Sequence, residues 1–317
     1  MKKIIYVTGC LGFIGSYITR MALDKGWYVR GVDKITYAAN IDLLKDFNKY
    51  SNFVFQHIDI NDIEFLYDCD YIINTAAETH VGNSIVDSDT FVRSNIEGVH
   101  HLLKLMNAYR QEQQNQPVLI HFSTDEVYGD IDHGKHSETD ILKPSNPYSA
   151  TKAAADMLIL AWSRTYGIKY NIIRPTNNYG IGQYVEKLIP KSIKFLSLGR
   201  KIPLHNNGNP IRNWLHADDT ANAVVKIIEA GQMNEIYNIC GGFEQDNLTT
   251  VSKIIKTFHE KDCNINEYLD LTYSRTGQDF RYTLNDDKIR NIGWEPKQNF
   301  DNNLSNIVAY YKHNFIW

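Results

Sequence analysis

The stretch Thr8-Gly9-Cys10-Leu11-Gly12-Phe13-Ile14-Gly15 lies between an apolar run, residues 4–8, and a segment with helical spacing, residues 13–24. It therefore places three glycines between a predicted strand and a predicted helix. Glycines at such a junction let the backbone turn tightly and approach a pyrophosphate, whose charge is favoured at a helix N-terminus. We predict a dinucleotide site here, formed by Gly9, Gly12, Phe13, Ile14 and Gly15.

An acidic residue, Asp33, ends the second predicted strand about 20 residues beyond the glycines. A carboxylate there accepts hydrogen bonds from ribose hydroxyls and repels a 2′-phosphate, which favours NAD over NADP, although Lys34 weakens the argument. The alternative is a solvated acid at a strand end. Four residues that follow the third and fourth predicted strands are also expected to line the cofactor site: Asp59, Ile60, Ala76 and Ala77.

Short apolar runs alternate with helical patterns through the first half of the chain, which is typical of strand-helix-strand units. Strands are predicted near residues 3–8, 28–33, 53–58, 70–75, 118–123 and 169–173. Helices are predicted over residues 13–24, 87–109 and 147–166, with Ser88 or Asp89 and Ser145 or Asn146 as caps. The fold class is α/β, a doubly wound parallel sheet of the Rossmann type.

Glycine and proline interrupt the pattern after Arg174. We expect residues 1–174 to form an NAD-binding domain, with a returning segment near residues 212–242 that includes a strand at 236–240. Residues 175–317 should mainly form a smaller C-terminal substrate-binding domain, with a helix at about 249–259.

Composition excludes several classes of protein. The 317 residues are 43% apolar with a net charge of −4, which argues against a disordered tail or a nucleic-acid binder. The four cysteines form no CxxC pair and the histidines no metal-spaced cluster, so we expect no metal, no disulfides and a reducing, cytoplasmic compartment. No apolar run approaches the roughly 20 residues of a membrane span, so no membrane association is expected.

Tyr148 and Lys152 lie four residues apart, on one face of a predicted helix. A lysine ammonium and a positive nicotinamide would lower the pKa of the phenol, which could then take a proton from a sugar hydroxyl while hydride leaves to NAD. The pair alone occurs by chance on many helices. Its position after the glycine motif and a strand ending in Ser123-Thr124 favours catalysis.

The segment Ser123-Thr124-Asp125-Glu126-Val127-Tyr128-Gly129 is the most informative in the chain. Here the sequence resembles the extended short-chain dehydrogenase family, and within it the dTDP-glucose and UDP-glucose 4,6-dehydratases. The resemblance runs along nearly the whole chain. It includes Ala76-Ala77-Glu78-Thr79-His80-Val81, Tyr148-Ser149-Ala150-Thr151-Lys152-Ala153, Arg174-Pro175-Thr176-Asn177-Asn178-Tyr179-Gly180 and Glu186-Lys187-Leu188-Ile189-Pro190.

The resemblance implies roles for the acidic pair. Asp125 matches the family's acid, Glu126 its base and Thr124 the hydroxyl that binds the C4 oxygen. In that mechanism C4 is oxidised, the base removes the C5 proton, the acid protonates the departing C6 hydroxyl, and hydride returns to C6. Two adjacent carboxylates in a closed site should have pKa values pushed apart. A solvated Asp-Glu turn is the alternative.

The resemblance also implies a nucleotide-diphosphate-sugar substrate and a homodimer formed through the helices at 87–109 and 147–166. Surface charges are the alternative reading of the charged substrate residues. The residues expected to contact substrate are Thr79, Thr124, Asn177, Glu186, Lys187, Leu188, His205, Arg212, Asn238 and Arg275.

Two positions depart from the dTDP-glucose enzymes. Gln278 stands where many of them have histidine, which puts a diphosphate contact in doubt. His205 stands where they often have tyrosine and UDP-glucose enzymes often have histidine, so the sequence favours UDP-glucose weakly. Two other functions stay open: a UDP-sugar 4-epimerase or decarboxylase on the same scaffold, and a catalytically idle NAD-binding regulator.

Overall fold

The computed structural model describes residues 2–113, 116–274 and 279–314. Within these ranges the β-strands are β1 Ile4–Thr8, β2 Tyr28–Asp33, β3 Phe53–His57, β4 Tyr71–Asn74, β5 Val118–Phe122, β6 Tyr170–Pro175, β7 Asn177–Tyr179, β8 Ile202–Pro203, β9 Ile211–His216, β10 Glu235–Ile239, β11 Phe243–Asp246 and β12 Leu269–Asp270. The α-helices are α1 Phe13–Asp24, α2 Leu43–Phe47, α3 Val81–Val86, α4 Asp89–Phe91, α5 Gly98–Gln113, α6 Pro147–Tyr166, α7 Leu188–Ser197, α8 Ala217–Ala230, α9 Asn247–His259, α10 Asp287–Asn291 and α11 Phe300–Tyr311.

Seven strands form one parallel sheet in the order β10-β6-β5-β4-β1-β2-β3. The chain progresses outward from β1 in both directions, so the order reverses between β1 and β4. In such sheets the carboxyl ends of the two strands on either side of the reversal leave a crevice for a ligand. The predicted doubly wound α/β fold is confirmed, and each of the six predicted strands is present.

Both faces of the sheet are buried, because helices cover each of them. Val7 and Ile73 point to the face covered by α1 and α8, whereas Tyr6 and Ile72 point to the face covered by α5 and α6. Alternate side chains of each central strand therefore enter different cores. This explains why the strands read as apolar runs rather than as an alternation of polar and apolar residues.

Helix α6 has the predicted bounds, and local signals fix both its ends. Asn146 is the N-cap: its side chain accepts a hydrogen bond from Ser149 N, and the Ser149 side chain accepts one from Asn146 N. Pro147 occupies the first turn, and Gly167 ends the helix in a left-handed conformation at φ 70°. Of the two predicted caps, Asn146 is therefore the correct one.

The single helix predicted over residues 87–109 is wrong in detail. The structure has the short α4, whose N-cap residue Ser88 makes no side-chain cap hydrogen bond, then a π-helical segment Val92–Glu97, and only then α5. The wider turn buries both Ser94 and Asn95. A Cβ on Gly98 would lie 2.2 Å from Ile60 Cδ1, so a larger residue there would require the Ile60 side chain to move.

A third hydrophobic core lies apart from the sheet, where α7, α9 and α11 pack together. A three-stranded sheet, in the order β11-β9-β7, borders it. Between these elements the chain contributes α8, which packs on α1, and β10, which pairs with β6. Helix α9 begins at Asn247, two residues before the predicted start. The division of the chain at residue 174 stays a prediction.

Among the described residues, no helix has both the length and the apolar character that a membrane span requires. The same part of the chain contains no group of three or more His, Cys, Asp or Glu side chains able to hold a metal ion.

Candidate active site

A cleft opens at the carboxyl ends of the parallel strands, at the point where the strand order reverses. Every residue predicted to be catalytic or to hold the cofactor lines this cleft. Among the predicted substrate residues, Thr79, Thr124, Asn177, Glu186 and Lys187 line it as well. The sheet therefore brings together residues that are more than 170 positions apart in sequence.

The glycine turn leaves no room for side chains at two positions. A Cβ on Gly15 would lie 2.1 Å from Gly9 O, and one on Gly9, whose φ is 71°, would lie 2.8 Å from Ala76 N. Helix α1 starts directly after Gly12, and no side chain caps its first turn. The N-terminus of α1 thus faces the cleft with backbone groups at its surface, which fits a bound pyrophosphate.

Asp33 is held in place by the backbone on either side of it. Its carboxylate accepts hydrogen bonds from Leu11 N at 3.0 Å and Ile35 N at 2.8 Å. Burial raises its pKa, while these two bonds act in the opposite direction. The carboxylate therefore has a fixed position at the end of β2, where a ribose would lie.

The positive charge of Lys34 is compensated within the protein. Lys34 Nζ lies 3.6 Å from Asp59 Oδ2. Burial alone would raise the pKa of Asp59, but hydrogen bonds from Asn61 and the charge of Lys34 lower it overall. This pairing weakens the objection that Lys34 would attract a 2′-phosphate, and so the arrangement fits NAD.

Thr124, Asp125 and Glu126 occupy the turn that follows β5. Thr124 is the N-cap of a 3-10 helix, Asp125–Tyr128, and its hydroxyl accepts a hydrogen bond from Glu126 N. The same hydroxyl donates to Asp125 Oδ1 at 3.1 Å. Glu126 Oε2 accepts a hydrogen bond from Asn146 Nδ2, at the start of α6. Both carboxylates are thus anchored next to the helix that carries Tyr148.

The Asp125 carboxyl group has an unusual affinity for protons. Its side chain is buried, and burial together with the nearby charge of Glu126 raises its pKa to about 7. The hydrogen bond from Thr124 and the charge of Arg212 oppose this shift. Asp125 Oδ2 has no hydrogen-bond partner among the described residues. A carboxyl group with such a pKa can carry a proton at neutral pH and give it away.

Tyr148 and Lys152 are both buried on the same face of α6. Burial lowers the pKa of Lys152 to about 8, against the opposing charge of Asp156. Burial raises the pKa of Tyr148, the charges of Glu126 and Asp125 raise it further, and a hydrogen bond with Thr124 lowers it. The expected lowering of the Tyr148 pKa by Lys152 is not seen in the protein alone, where burial is the largest effect.

A buried ion pair supports this face of α6. Asp156 accepts hydrogen bonds from Arg174 Nε at 3.0 Å and from Ser123 Oγ at 3.0 Å. Asp156 lies one helical turn beyond Lys152, and its side chain is fully buried. These bonds join α6 to β6 and to Ser123, directly after β5, and so hold the helix next to the Thr124 turn. Sequence analysis did not assign a role to it.

Another part of the cleft lining comes from β7 and from the segment between β7 and α7. Lys187 Nζ donates to Thr79 O at 2.9 Å and lies 3.5 Å from Glu186 Oε1. Asn177 Oδ1 is buried without a hydrogen-bond partner in the described part of the chain. The lining of the cleft therefore includes a cation and a buried amide oxygen.

Four predicted substrate residues do not line this cleft in the described structure. Leu188 begins α7 and packs against the third core. His205 borders a separate concavity with Tyr273. Arg212 donates to the backbone carbonyls of Ile211, Asp279 and Phe280.

Asn238 was also predicted to contact substrate, and it does not line the cleft. Its side chain is fully buried in β10 and bonds to Tyr128 Oη and to two backbone carbonyls. In this structure the Asn238 side chain lies in the core, and its role as a substrate contact stays a prediction. Arg275 and Gln278 lie outside the described residues.

Sequence analysis missed several residues that line the cleft, among them Thr36, Glu78, Ser94 and Tyr184. It also missed Asn95, which bonds to Glu78 N, Glu78 O and Thr151 Oγ1 and so ties the Glu78 loop to α6. Ser94 and Asn95 follow Arg93 in a run of three polar residues, and nothing in that run shows that two of the three are buried. Their common inward orientation depends on the π-helical turn, which the spacing does not reveal.

Fold and site together define a class of protein: a dinucleotide-binding enzyme with the Thr, Tyr and Lys of a short-chain dehydrogenase and an added carboxylate pair. The family described as GDP-mannose 4,6 dehydratase matches residues 6–307. The chain therefore belongs to the nucleotide-sugar 4,6-dehydratases of the extended short-chain dehydrogenase family.

Individual relatives agree with this assignment. The chain is 38% identical to the probable dTDP-glucose 4,6-dehydratase of Sinorhizobium fredii, over 99% of this chain and 94% of the relative. The crystal structure of DesIV, a dTDP-glucose 4,6-dehydratase from Streptomyces venezuelae with NAD bound, superposes with a TM-score of 0.91 at 35% identity, covering 98% and 97% of the two chains. The UDP-glucuronic acid 4-epimerase of Bacillus cereus, also with NAD, has a TM-score of 0.89 at 24% identity, covering 98% and 99%, and shares the fold.

Proposed function

We propose that this protein is an NAD-dependent 4,6-dehydratase that converts a nucleotide-diphosphate-glucose to its 4-keto-6-deoxy sugar. One observation carries the proposal: Asp125, with a pKa of about 7, and Glu126 lie beside Thr124, Tyr148 and Lys152 in one cleft. An epimerase that oxidises and reduces the same carbon needs the last three groups but has no use for an acid and a base.

The cofactor is NAD, and the residues of the glycine turn and Asp33 would hold it. When bound, NAD supplies a hydride acceptor that later returns the hydride, and a positive nicotinamide that favours the ionised phenol. Lys152 would add its ammonium to this environment. Thr124 would bind the C4 oxygen, and Tyr148 would take the proton of the C4 hydroxyl as C4 is oxidised.

The carboxylate pair then acts on the neighbouring carbons. The ketone at C4 acidifies the C5 proton, which Glu126 removes. Asp125 gives its proton to the C6 hydroxyl, and water leaves. Hydride adds to C6 while Glu126 returns its proton to C5. Burial supports the role of Asp125 as the acid, because a pKa of about 7 leaves part of the Asp125 carboxyl groups protonated near neutrality.

We propose dTDP-glucose as the preferred substrate. His205 favours UDP-glucose in the sequence, but the relative from Sinorhizobium fredii and DesIV are both named for dTDP-glucose. His205 lies outside the catalytic cleft and so gives little support to the UDP assignment. Asn177, Glu186, Lys187 and Thr79 line the cleft and are the proposed contacts for the sugar and its diphosphate.

The test is to incubate the purified protein and NAD separately with dTDP-glucose and UDP-glucose, and to follow the products by mass spectrometry. We expect the loss of one water molecule, faster from dTDP-glucose. A changed sugar of unchanged mass would mean epimerisation and would refute the dehydratase. Faster loss of water from UDP-glucose would restore the assignment based on His205.

We propose that the protein is a cytoplasmic homodimer. Helices α5 and α6 pack side by side, and their outer side carries Trp162 in edge contact with His100, and Met157 with 48% of its surface exposed. All four cysteines are free, which fits a reducing compartment. Light scattering of the wild type and of Met157→Asp would test the dimer, since a buried charge at this interface should give monomers.

A further inference from the structure

The segment that carries the acid and the base is held at both of its ends by one buried ion pair. At its start, Ser123 Oγ donates a hydrogen bond to Asp156 Oδ2 at 3.0 Å. At its end, Arg174 Nη1 donates a hydrogen bond to Tyr128 Oη at 2.7 Å. Arg174 in turn contacts Asp156 Oδ2 through Nε at 3.0 Å and through Nη2 at 2.9 Å. The same pair of side chains therefore anchors the chain on either side of the acid and the base.

The Tyr128 hydroxyl has a defined partner on each side. It accepts the hydrogen bond from Arg174 and donates one to Asn238 Oδ1, on β10, at 2.8 Å. Asn238 is itself fixed, because its Nδ2 donates to the backbone carbonyls of His136 and Asn285. Tyr128, Arg174 and Asn238 are all fully buried. Hydrogen bonds to a charged donor are strong, and more so away from water, so the hydroxyl holds this end of the segment in one position.

The Tyr128 ring makes contacts that do not depend on its hydroxyl. Arg174 Cζ lies over the ring, 4.8 Å from its centroid. The His136 imidazole stacks on the ring, with the two centroids 4.9 Å apart and an interplanar angle of 12°. A phenylalanine at position 128 keeps both contacts. Tyr128→Phe therefore removes the two hydrogen bonds of the hydroxyl and leaves the packing of the ring in place.

Tyr128 can influence the reaction without touching the substrate. Neither Tyr128 nor Arg174 belongs to the described residues that line the cleft. The 3-10 helix Asp125–Tyr128 is only about one turn long, and Gly129 N closes it with a hydrogen bond to Glu126 O at 3.2 Å. A displacement of its last residue would therefore tilt the whole turn and move both carboxylates.

We propose, on the basis of the dehydratase reaction proposed above, that Tyr128 is a positioning residue that holds Asp125 and Glu126 in place for the loss of water. Its hydroxyl acts through Arg174. Because Asp156, the partner of Arg174, lies on α6, this connection links the acid and the base to the helix that carries the groups for oxidation. The sugar is then met by both sets of groups in one fixed arrangement.

The two anchors of the segment serve different steps of the reaction. Thr124, which would bind the C4 oxygen, directly follows Ser123 and keeps that anchor when the Tyr128 hydroxyl is absent. Removal of the C5 proton and protonation of the C6 hydroxyl depend on Asp125 and Glu126, which belong to the turn that Tyr128 ends. Loss of the Tyr128 hydroxyl should therefore slow the loss of water more than the oxidation at C4.

The test follows a single turnover of Tyr128→Phe and of the wild type, each loaded with NAD and in excess over dTDP-glucose, or over UDP-glucose if the wild type prefers it. Rapid-mixing absorbance reports reduced nicotinamide, and rapid quench with mass spectrometry reports the dehydrated product. In Tyr128→Phe, oxidation should keep the wild-type rate. The loss of water should slow roughly ten- to a hundredfold, as when a catalytic group is displaced by up to about 1 Å, so reduced nicotinamide should accumulate.

Tyr237→Phe is the matched control. It removes the hydroxyl of another fully buried tyrosine, whose hydrogen bonds go to the backbone of Gln232 and not to the ion pair. Both rates should stay at the wild-type value in this variant. Selective slowing of water loss in Tyr237→Phe as well would show that loss of any buried phenol has this effect, and would overturn the proposal.

Two other results with Tyr128→Phe would overturn the proposal. Equal slowing of oxidation and of water loss would mean a general disturbance of the site. Wild-type rates for both steps would mean that the hydroxyl does not position the acid and the base. A wild type that releases no water from either sugar would instead refute the proposed function.

A second variant tests the connection through Arg174, and it also serves if Tyr128→Phe does not fold. Arg174→Lys keeps a positive charge beside Asp156, but one ammonium group lacks the guanidinium fork that bonds to Asp156 and Tyr128 together. It should also slow the loss of water selectively. The double variant should be close to Arg174→Lys alone, because both changes break the same connection. Independent, multiplying effects of the two changes would overturn the proposal.

Discussion

The two walls of the cleft differ in how completely the protein satisfies its own polar groups. On the cofactor wall, Asp33 bonds to two backbone N–H groups, and Thr75 Oγ1 donates to Thr8 O at 2.7 Å. On the side that faces the sugar, Asp125 Oδ2 and Asn177 Oδ1 are buried without hydrogen-bond partners in the described ranges. Buried polar atoms in this state are costly, and a ligand that bonds to them recovers that cost.

The difference suggests that the cofactor wall is already in its final form, whereas the catalytic and sugar-facing side is completed by substrate. Changes on the sugar-facing side should then affect chemistry and leave folding intact. Changes on the cofactor wall should affect cofactor content and stability together.

The largest expected effect is on the sugar-facing side. Asp125→Asn removes the proton donor for the C6 hydroxyl, so turnover should fall about 10²–10⁴-fold, the usual contribution of a general acid. Oxidation at C4 does not need Asp125, so reduced nicotinamide should accumulate in the presence of substrate. Rapid-mixing absorbance and product assays measure the two steps. Asp132→Asn, at an exposed acid a few residues on, is the control and should behave as wild type.

On the cofactor wall, Gly15→Ala introduces a Cβ that would lie 2.1 Å from Gly9 O. The backbone must shift, so we expect loss of bound NAD and a fall of roughly 1–3 kcal/mol in the free energy of unfolding, as for other overpacked sites. Gly12→Ala is the matched variant, since its Cβ would lie 3.2 Å from the same oxygen. Similar NAD content in both variants and the wild type would contradict a prebuilt cofactor wall.

Asp125 also predicts a pH dependence. Its pKa of about 7 in the folded protein, above the ordinary 3.8, means that the folded state binds this proton more tightly than the unfolded chain. The stability it contributes is complete below the ordinary pKa and is lost as pH rises through about 7. Activity should fall as pH rises through about 7, because less of Asp125 is then in the protonated form that donates the proton.

Denaturant unfolding of the wild type and Asp125→Asn between acid and weakly alkaline pH would measure this effect. The variant should lose stability less steeply than the wild type as pH rises towards 7. Parallel curves for the two proteins would mean that Asp125 titrates with an ordinary pKa, and would remove the basis for its role as the acid.

The smallest expected effect concerns cofactor choice. Asp33→Asn keeps the shape of the side chain and removes the negative charge that would repel a 2′-phosphate. The ratio of NAD to NADP affinity should fall on the order of tenfold, equivalent to about 1.4 kcal/mol. Titration of the cofactor-free protein with both dinucleotides measures the ratio. If it does not change, Asp33 does not set the preference for NAD.

The sequence by itself determined the part of the site that is proposed to hold the cofactor. Gly9, Gly12 and Gly15 lie within one turn, and Tyr148 and Lys152 within one helical turn, so short-range geometry places them whatever the rest of the chain does. The six strands and the ends of α6 follow from equally local signals, such as the capping box at Asn146. The resemblance of Asp125 and Glu126 to a known acid and base supplied the chemistry.

Only the tertiary structure decided the rest. It separated Asn177, Glu186 and Lys187, which line the cleft, from Asn238, which is a core residue, because long-range packing rather than spacing sets where each one lies. It also raised the pKa of Asp125 to about 7 and placed the Thr124 hydroxyl within hydrogen-bond distance of Asp125 Oδ1. Burial and pairing of groups from different strands and helices cause these effects, and neither can be read from neighbours in sequence.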